Sequence, residues 1–239
     1  GGTFCHAAAC LANFLDEVCG LTEEAGEVYA AAREGRGASL LGGFARGKYG
    51  VWLSRRGRAE DAREAEAELE AALAEDTKNA EALVDMAHLL SSRDAARGAA
   101  LLRDALAAVP EDSRVLGEYA WFMERVVGDF DAADGLYQRA VTADPSAAGT
   151  LGRYAGFLAQ VRGQAQVGAD AYRRCHEADP LNLTGLLGHA GALEAAGDTA
   201  GAGALYARAV QEHPSDGDAL GGAAAFALSS KGDRAEAVR

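Results

Sequence analysis

The chain has 239 residues and a formal net charge of −13. Such an acidic balance argues against general nucleic-acid binding, which needs basic residues to displace the counterions of phosphates. The sequence also lacks any run of about 18 apolar residues, so we expect no membrane-spanning helix and no membrane insertion.

Helical spacing of apolar residues (i, i+3, i+4, i+7) continues along the whole sequence, and no sustained strand-like alternation occurs, which predicts an all-α fold. The four prolines fall at intervals of 35, 35 and 34 residues, at Pro110, Pro145, Pro180 and Pro214. A fixed period near 34 residues predicts a stack of similar helical units in place of one globular core.

We expect a single array over residues 4–239, built in chain order from units at about 4–37, 42–77, 79–110, 112–145, 147–180, 182–214 and, incompletely, 216–239. Three of the units extend their first helix by one residue, since Leu11–Gly20 parallels Tyr119–Gly128 and Tyr154–Gly163. In the last unit Gly232-Asp233 predicts a turn into a second helix that stops at Arg239. We therefore expect the chain to be a segment of a longer protein.

The clearest unit is 182–214, with Ala190 in its first helix, a Gly197-Asp198 turn, and Ala202, Tyr206, Ala209 and Pro214 in and after its second. This pattern resembles the tetratricopeptide repeat family, and the resemblance covers nearly the whole chain. It implies an α-solenoid of antiparallel helix pairs wound into a right-handed superhelix. It also implies a non-catalytic scaffold that binds protein or peptide segments.

In this family the first helices line a concave groove, and the groove-facing residues lie three before, one after and four after the small crossing residue. Carried over to this chain, the candidates for partner binding are Asn13, Asp16, Val51, Ser54, Arg55, His88, Trp121, Glu124 and Glu194. Smaller residues such as Ala159, Leu187 and Gly191 fill much of the remaining groove. Trp121 has two open interpretations, either a hot spot for a partner or a packing residue between units.

A basic stretch lies between residues 33 and 58, where seven basic residues accompany one acid: Arg33, Arg36, Arg46, Lys48, Arg55, Arg56 and Arg58. One interpretation is a merely solvated basic face. The other is a site for an acidic peptide or C-terminus, held by charge-assisted hydrogen bonds. The proline rhythm also fails here, since Gly37 and Thr77 stand at the proline positions.

We find no sequence motif that supports catalysis, phosphate binding or metal binding. Gly42–Tyr49 imitates a phosphate-binding loop but ends in Tyr49 where a small hydroxyl is needed, and Asn182 is expected to start a helix. The four cysteines form no C-x-x-C pair, so we predict buried free thiols in an intracellular, cytoplasmic or organellar setting. We expect no catalytic residue, metal or cofactor. The alternative function is a substrate-docking region of an enzyme whose catalytic part lies elsewhere.

Overall fold

The computed structural model describes residues 2–17, 19–34, 43–56, 58 and 60–237, and at 2–6, 17, 32–34, 43–44 and 231–237 it describes the backbone alone. Within those ranges every regular element is a helix, and the all-α prediction is confirmed. Within the described ranges, neighbouring helices such as Gly43–Arg55 with Asp61–Glu75 and Ala148–Gly156 with Ala165–Ala178 pack against each other in pairs, as the repeat pattern predicted.

Thirteen α-helices occur in the part of the chain that is described. They are α1 (Gly2–Glu17), α2 (Thr22–Glu34), α3 (Gly43–Arg55), α4 (Asp61–Glu75), α5 (Ala80–Leu90), α6 (Ala95–Ala108), α7 (Ser113–Phe122), α8 (Phe130–Ala143), α9 (Ala148–Gly156), α10 (Ala165–Ala178), α11 (Leu183–Ala195), α12 (Thr199–Glu212) and α13 (Gly217–Ala237). Because α3 already begins at Gly43, the residues that imitate a phosphate-binding loop are helical from that point on.

The helices group into two compact units. The first unit comprises residues 1–110 and 122–128, and the second comprises residues 111–121 and 129–239. In the first unit, Tyr29 of α2 and Trp52 of α3 lie buried with small residues such as Ala12, Ala25 and Ala65. In the second unit, Leu186, Ala209 and Ala219 form one buried cluster. Small residues at the crossings let the helices approach closely while larger side chains fill the gaps.

The turns follow local rules that the sequence displays. Gly128 and Gly197 adopt positive φ angles of 78° and 83°, which side chains other than glycine rarely adopt. The aspartate after each glycine caps the next helix, since Asp129 accepts from the Ala132 amide and Asp198 from the Gly201 amide. Asn182 caps α11 in the same way, as predicted.

The extra residue of the extended first helices is absorbed in a π-helical turn. Residues Met123–Val127 follow α7 and residues Phe157–Val161 follow α9 in this conformation. The backbone amide of Arg162 reaches back five residues to the Phe157 carbonyl, at 3.1 Å. A residue inserted into an α-helix is commonly accommodated by such a widened turn.

The end of α1 has the same wide hydrogen bonds. The amide of Cys19 donates to the Phe14 carbonyl at 3.2 Å, and that of Leu21 donates to Leu15 at 2.8 Å. These bonds span five and six residues, as do the bonds from Arg162 to Phe157 and from Gln164 to Leu158. The three units whose sequences align therefore also end their first helices alike.

Two expectations of the sequence are wrong in the structure. The turn at Gly232-Asp233 is absent, because α13 continues as one helix to Ala237 and a single glycine is tolerated inside a helix. The prediction of buried thiols holds for Cys175, whereas Cys10 and Cys19 are exposed. Cys10 lies on an outward face of α1 and Cys19 lies in the turn after it; the side chain of Cys5 lies outside the described residues.

None of the helices described is both long and apolar enough to cross a membrane.

Candidate functional site

The predicted groove residues of the first unit differ in how accessible they are. Asn13 and Asp16 on α1 are half-buried, as are Ser54 on α3 and His88 on α5. The His88 ring lies edge-on to Phe122, with 6.4 Å between the ring centroids. Val51 is instead a packing residue, because it is 9% exposed and belongs to a buried cluster with residues of α4 and α5. We therefore drop Val51 from the candidate surface.

The basic stretch is largely engaged in ion pairs. Arg46 contacts Glu68 and Glu75 of α4 at 3.4 and 3.7 Å, and Lys48 pairs with Glu81. Such pairs reduce the net positive charge that a partner would meet. An acidic partner at this stretch stays a prediction.

The end of α3 shows the same pairing. Arg56 lies 3.3 Å from Asp61 and stacks its guanidinium over Trp52 at 4.5 Å. Arg58 reaches Glu23 at 3.4 Å. Arg55 is exposed and is not without a partner in the fold. The side chain of Arg33 and the whole of Arg36 lie outside the described residues.

Trp121 and Glu124, at the end of α7 and in the π-helical turn after it, are both half-buried. Neither interpretation of Trp121 is excluded by that exposure, so its role as a partner contact stays a prediction. Glu194 on α11 is already hydrogen-bonded within the fold, since its carboxylate accepts from the Tyr206 hydroxyl at 3.3 Å and from the Ser229 hydroxyl at 2.9 Å.

In the second unit, tyrosines of the second helices of the repeats pack against glycines of the neighbouring first helices. The ring of Tyr172 on α10 lies against Gly188 of α11, where an added Cβ would stand 2.1 Å from Cδ1 of that ring. The Tyr172 hydroxyl ends 3.2 Å from the corresponding position at Gly156, the residue after the crossing residue Ala155. Only glycine leaves room for this approach.

The next repeat places Tyr206 in the same way. Its hydroxyl lies 3.7 Å from the Cβ position of Gly191, the residue after the crossing residue Ala190. The two tyrosines differ in what meets the hydroxyl, because the residue four after the crossing position is Glu194 in one repeat and Ala159 in the other. Among the described residues, the Tyr172 hydroxyl has no hydrogen-bond partner, whereas that of Tyr206 donates to Glu194.

A cavity of about 430 Å³, lined in part by Tyr172, lies between the π-helical turn after α9, α10 and α11. Alanine and glycine make up most of its lining, with Leu187 and Tyr172 as the large side chains and Gln160 and Gln166 as the amides. None of the residues that line it carries a charge. Its volume lies within the about 300–1,000 Å³ typical of ligand pockets.

A second, more polar cavity of about 260 Å³ lies at the start of α7 and α9. Arg153 and Glu118, both in its lining, form an ion pair at 2.8 Å, and the Ser113 hydroxyl is buried without a hydrogen-bond partner. The lining contains two basic residues, Arg114 and Arg153, and two acidic ones, Glu118 and Asp144, so it carries no net charge. Among the side chains described, no three metal-ligating groups converge.

The sequence prediction included three residues of the larger cavity, Ala159, Leu187 and Gly191, as groove positions. It missed Tyr172, which was assigned to packing between helices. The sequence signal for Tyr172 is the residue four after the crossing position of its repeat. That residue is Ala159, whereas the repeats on either side have an acid there, Glu124 and Glu194. A comparison of these three consecutive repeats at that position distinguishes the repeat of Tyr172 from its two neighbours.

Solved structures with the same arrangement of helices are numerous. PilF of Pseudomonas aeruginosa superposes with a TM-score of 0.66 at 17% sequence identity, covering 95% of this chain and 98% of that one. TTC0263, a thermophilic TPR protein of Thermus thermophilus, gives 0.61 at 20% identity over 78% of this chain and 99% of that one. A tetratricopeptide repeat protein from Parabacteroides merdae gives 0.56 at 19% identity, with 88% and 80% covered.

No protein-family model matches the sequence, and a search of curated proteins returns no match. The likeness is therefore one of three-dimensional structure, at identities too low to carry over a partner or an activity. The helices of this chain superpose on those of the solved structures over most of its length. The chain has the tetratricopeptide-repeat fold.

Proposed function

We propose that this protein is a non-catalytic interaction scaffold that binds a segment of a partner protein along the first helices of its second unit. The observation that supports the proposal is the cavity of about 430 Å³, because Ala159 of the π-helical turn after α9 and Leu187 and Gly191 of α11, which were expected to face a groove, line it together. Concave, mostly apolar surfaces with few polar groups are typical binding sites.

We further propose that the scaffold serves as a structural subunit or docking arm within a larger assembly. The groove is smooth and its lining small, so it offers contact area with few specific polar contacts. Repeat arrays use extended surfaces of this kind to hold partners. Glu194, one of the expected groove residues, is already hydrogen-bonded within the fold to Tyr206 and Ser229, which supports a binding role over a catalytic one.

The proposal is tested by site-specific photocrosslinking with the full chain in its native cell. A photoreactive phenylalanine replaces Ala192, which lines the cavity, and in a matched control it replaces Val167, which is 51% exposed on α10 and is not part of the lining. We expect a discrete adduct from position 192 and none from position 167. The crosslinked partner is then identified by mass spectrometry and its segment titrated against the purified chain.

Two results would contradict the scaffold proposal. One is the absence of any adduct at position 192. The other is the same set of adducts from both positions, which would mean that the cavity makes no selective contact.

A further inference from the structure

We propose that the cavity beside Tyr172 accepts a peptide segment of the partner that carries a large uncharged side chain, aromatic or leucine-like, and an uncharged oxygen that accepts a hydrogen bond from the Tyr172 hydroxyl. This inference rests on the proposed function and specifies what the groove recognises. It is argued from the two consecutive repeats whose tyrosines are placed alike.

The first step is the comparison of Tyr172 with Tyr206. Both hydroxyls lie beside the glycine that follows the crossing residue, Gly156 and Gly191 respectively. The Tyr206 hydroxyl finds an acceptor within its own repeat, Glu194, at 3.3 Å. At the equivalent place the other repeat has Ala159, so both the acceptor and the volume of its side chain are missing there. Tyr172 is half-buried, and its hydroxyl is able to donate a hydrogen bond to an acceptor that a ligand brings.

The second step is the protonation of that hydroxyl. Burial, followed by the nearby Cys175, raises the pKa of Tyr172 above its ordinary value. The group is therefore a neutral donor at physiological pH. It complements an acceptor on the ligand, such as a backbone carbonyl or a side-chain amide.

The third step is the charge of the site. The lining contains no cation to balance a carboxylate and no anion to balance an ammonium group. Burying an uncompensated charge is costly, and the net charge of −13 on the chain adds repulsion against acidic segments. Alanine, glycine and Leu187 provide an apolar wall that suits a large hydrocarbon or aromatic group.

The test begins with selection of phage-displayed random peptides on the immobilised full chain, with counter-selection on Ala159→Glu. This substitution fills the cavity with the side chain that the equivalent positions Glu124 and Glu194 already carry, so we expect it to fold normally. The matched control is Val167→Glu, which adds the same charge outside the lining.

We expect enriched peptides to share an aromatic or leucine residue and few charges. Calorimetry should show binding to Ala159→Glu weakened by at least about 30-fold and binding to Val167→Glu unchanged. Tyr172→Phe should weaken binding by about 3- to 10-fold, as expected for one hydrogen bond. Tyr206→Phe, whose hydroxyl already has an internal acceptor, should leave it unchanged.

The outcomes separate this inference from the broader one. Peptides that bind wild type and Ala159→Glu equally, or a charged consensus, overturn the cavity assignment while the scaffold proposal stands. If no peptide is enriched but position 192 crosslinks selectively, the cavity assignment is likewise overturned and the scaffold proposal stands. Capped single residues that bind as tightly as the peptides would make the occupant a small molecule and refute the peptide assignment. If neither peptides nor crosslinks are found, both proposals fail.

Discussion

Single glycines decide how the second unit packs. At Gly188 an added Cβ would lie within 2.5 Å of three ring atoms of Tyr172, whereas at Gly135 on α8 it would meet nothing within 4 Å. Both residues are helical, so their intrinsic helix propensities are equal and only the surroundings differ. The contact between α10 and α11 therefore depends on the absence of one side-chain carbon.

Gly188→Ala is expected to lower the free energy of unfolding by about 1–3 kcal/mol, because the Tyr172 ring must leave its position. Urea unfolding followed by circular dichroism measures the effect. Gly135→Ala is the control and should be neutral or stabilising by up to about 1 kcal/mol. A Gly188→Ala protein as stable as wild type would mean that the Tyr172 ring does not occupy this slot.

Two histidines meet between α10 and α11. The rings of His176 and His189 have centroids 5.6 Å apart, and both Nδ1 atoms are buried without a hydrogen-bond partner. Burial lowers the pKa of both residues below the ordinary value. Arg208 lowers that of His176 further, and for His189 the charges of His176 and Arg173 act in the same direction, while Glu177 opposes the shift in both.

These lowered pKa values predict an acid-sensitive stability. Well above pH 6.5 the two histidines are neutral in the folded and in the unfolded chain. As the pH falls below about 6.5, they bind protons in the unfolded chain before they do so in the folded chain. The free energy of unfolding should therefore fall on acidification below about pH 6.5. Denaturant titrations of wild type and the double variant His176→Gln, His189→Gln measure it. A double variant that keeps the whole pH dependence would show that other groups cause it.

At the level of the element, the π-helical turns set the length of a repeat. After α7 the amide of Gly128 donates to the Met123 carbonyl, five residues back, and Gly128 then adopts its positive φ. After α11, which has no extra residue, the amide of Ala196 donates four residues back to Ala192 and Gly197 adopts the same backbone. Both routes end in a glycine followed by a capping aspartate.

Deleting Arg125 from the π-helical turn is therefore expected to be tolerated. The deletion converts a five-residue hydrogen bond into the ordinary four-residue one and leaves the residues on both sides in register. We expect a loss below about 1 kcal/mol, or a melting temperature lowered by no more than roughly 2–4 °C. Thermal unfolding followed by circular dichroism measures it.

Deletion of Ala195 from the regular end of α11 is the comparison. Here the residues before the deletion rotate by about 100° relative to the cap, since an α-helix has 3.6 residues per turn. The hydrogen bond from the Asp198 amide to the Leu193 carbonyl, 2.9 Å long, is lost as well. A larger drop in melting temperature should follow, and equal losses in both deletions would refute the role given to the π-helical turn.

At the scale of the whole molecule, the parts that could be predicted from sequence are those decided by neighbours along the chain. Helix pairs follow from the apolar spacing, the left-handed Gly128 and Gly197 from the turn pattern, and the cap at Asn182 from its side-chain chemistry. Each depends on a few consecutive residues. The extended first helices belong to this class too, because an added residue between two fixed landmarks is visible in an alignment of the repeats.

The remaining features depend on residues far apart in sequence. Whether Arg46 offers its charge to a partner depends on Glu68, 22 residues away, and whether Val51 is exposed depends on α4 and α5. Cys10 looks like other small apolar positions until the face of α1 it occupies is known. The tyrosine at this repeat position has the pattern of a packing residue, and the difference between Tyr172 and Tyr206 depends on a residue of another helix, Ala159 in one repeat and Glu194 in the other.

The chain has 13 more acidic than basic residues, and several of the basic residues form ion pairs with acids of neighbouring segments. Arg162, just after the π-helical turn, contacts Asp131 at 2.7 Å and Asp134 at 3.1 Å on α8, and Arg139 contacts Glu111 at 3.2 Å. Each such pair contributes modestly at an exposed site. Their common effect is to place basic residues against acids of neighbouring segments of the second unit.

The widened turn has a consequence for how this chain changes over time. The 35-residue repeat that ends at Pro145 and the 34-residue repeat that ends at Pro214 both leave their first helix through a left-handed glycine, and Asp129 and Asp198 cap the next helix alike. A one-residue insertion is therefore confined to the repeat in which it occurs. Duplication or exchange of whole repeats can therefore mix both lengths without disturbing the stacking of later ones. Variation in repeat number and variation in cavity-lining residues such as Ala159 can therefore occur independently of each other.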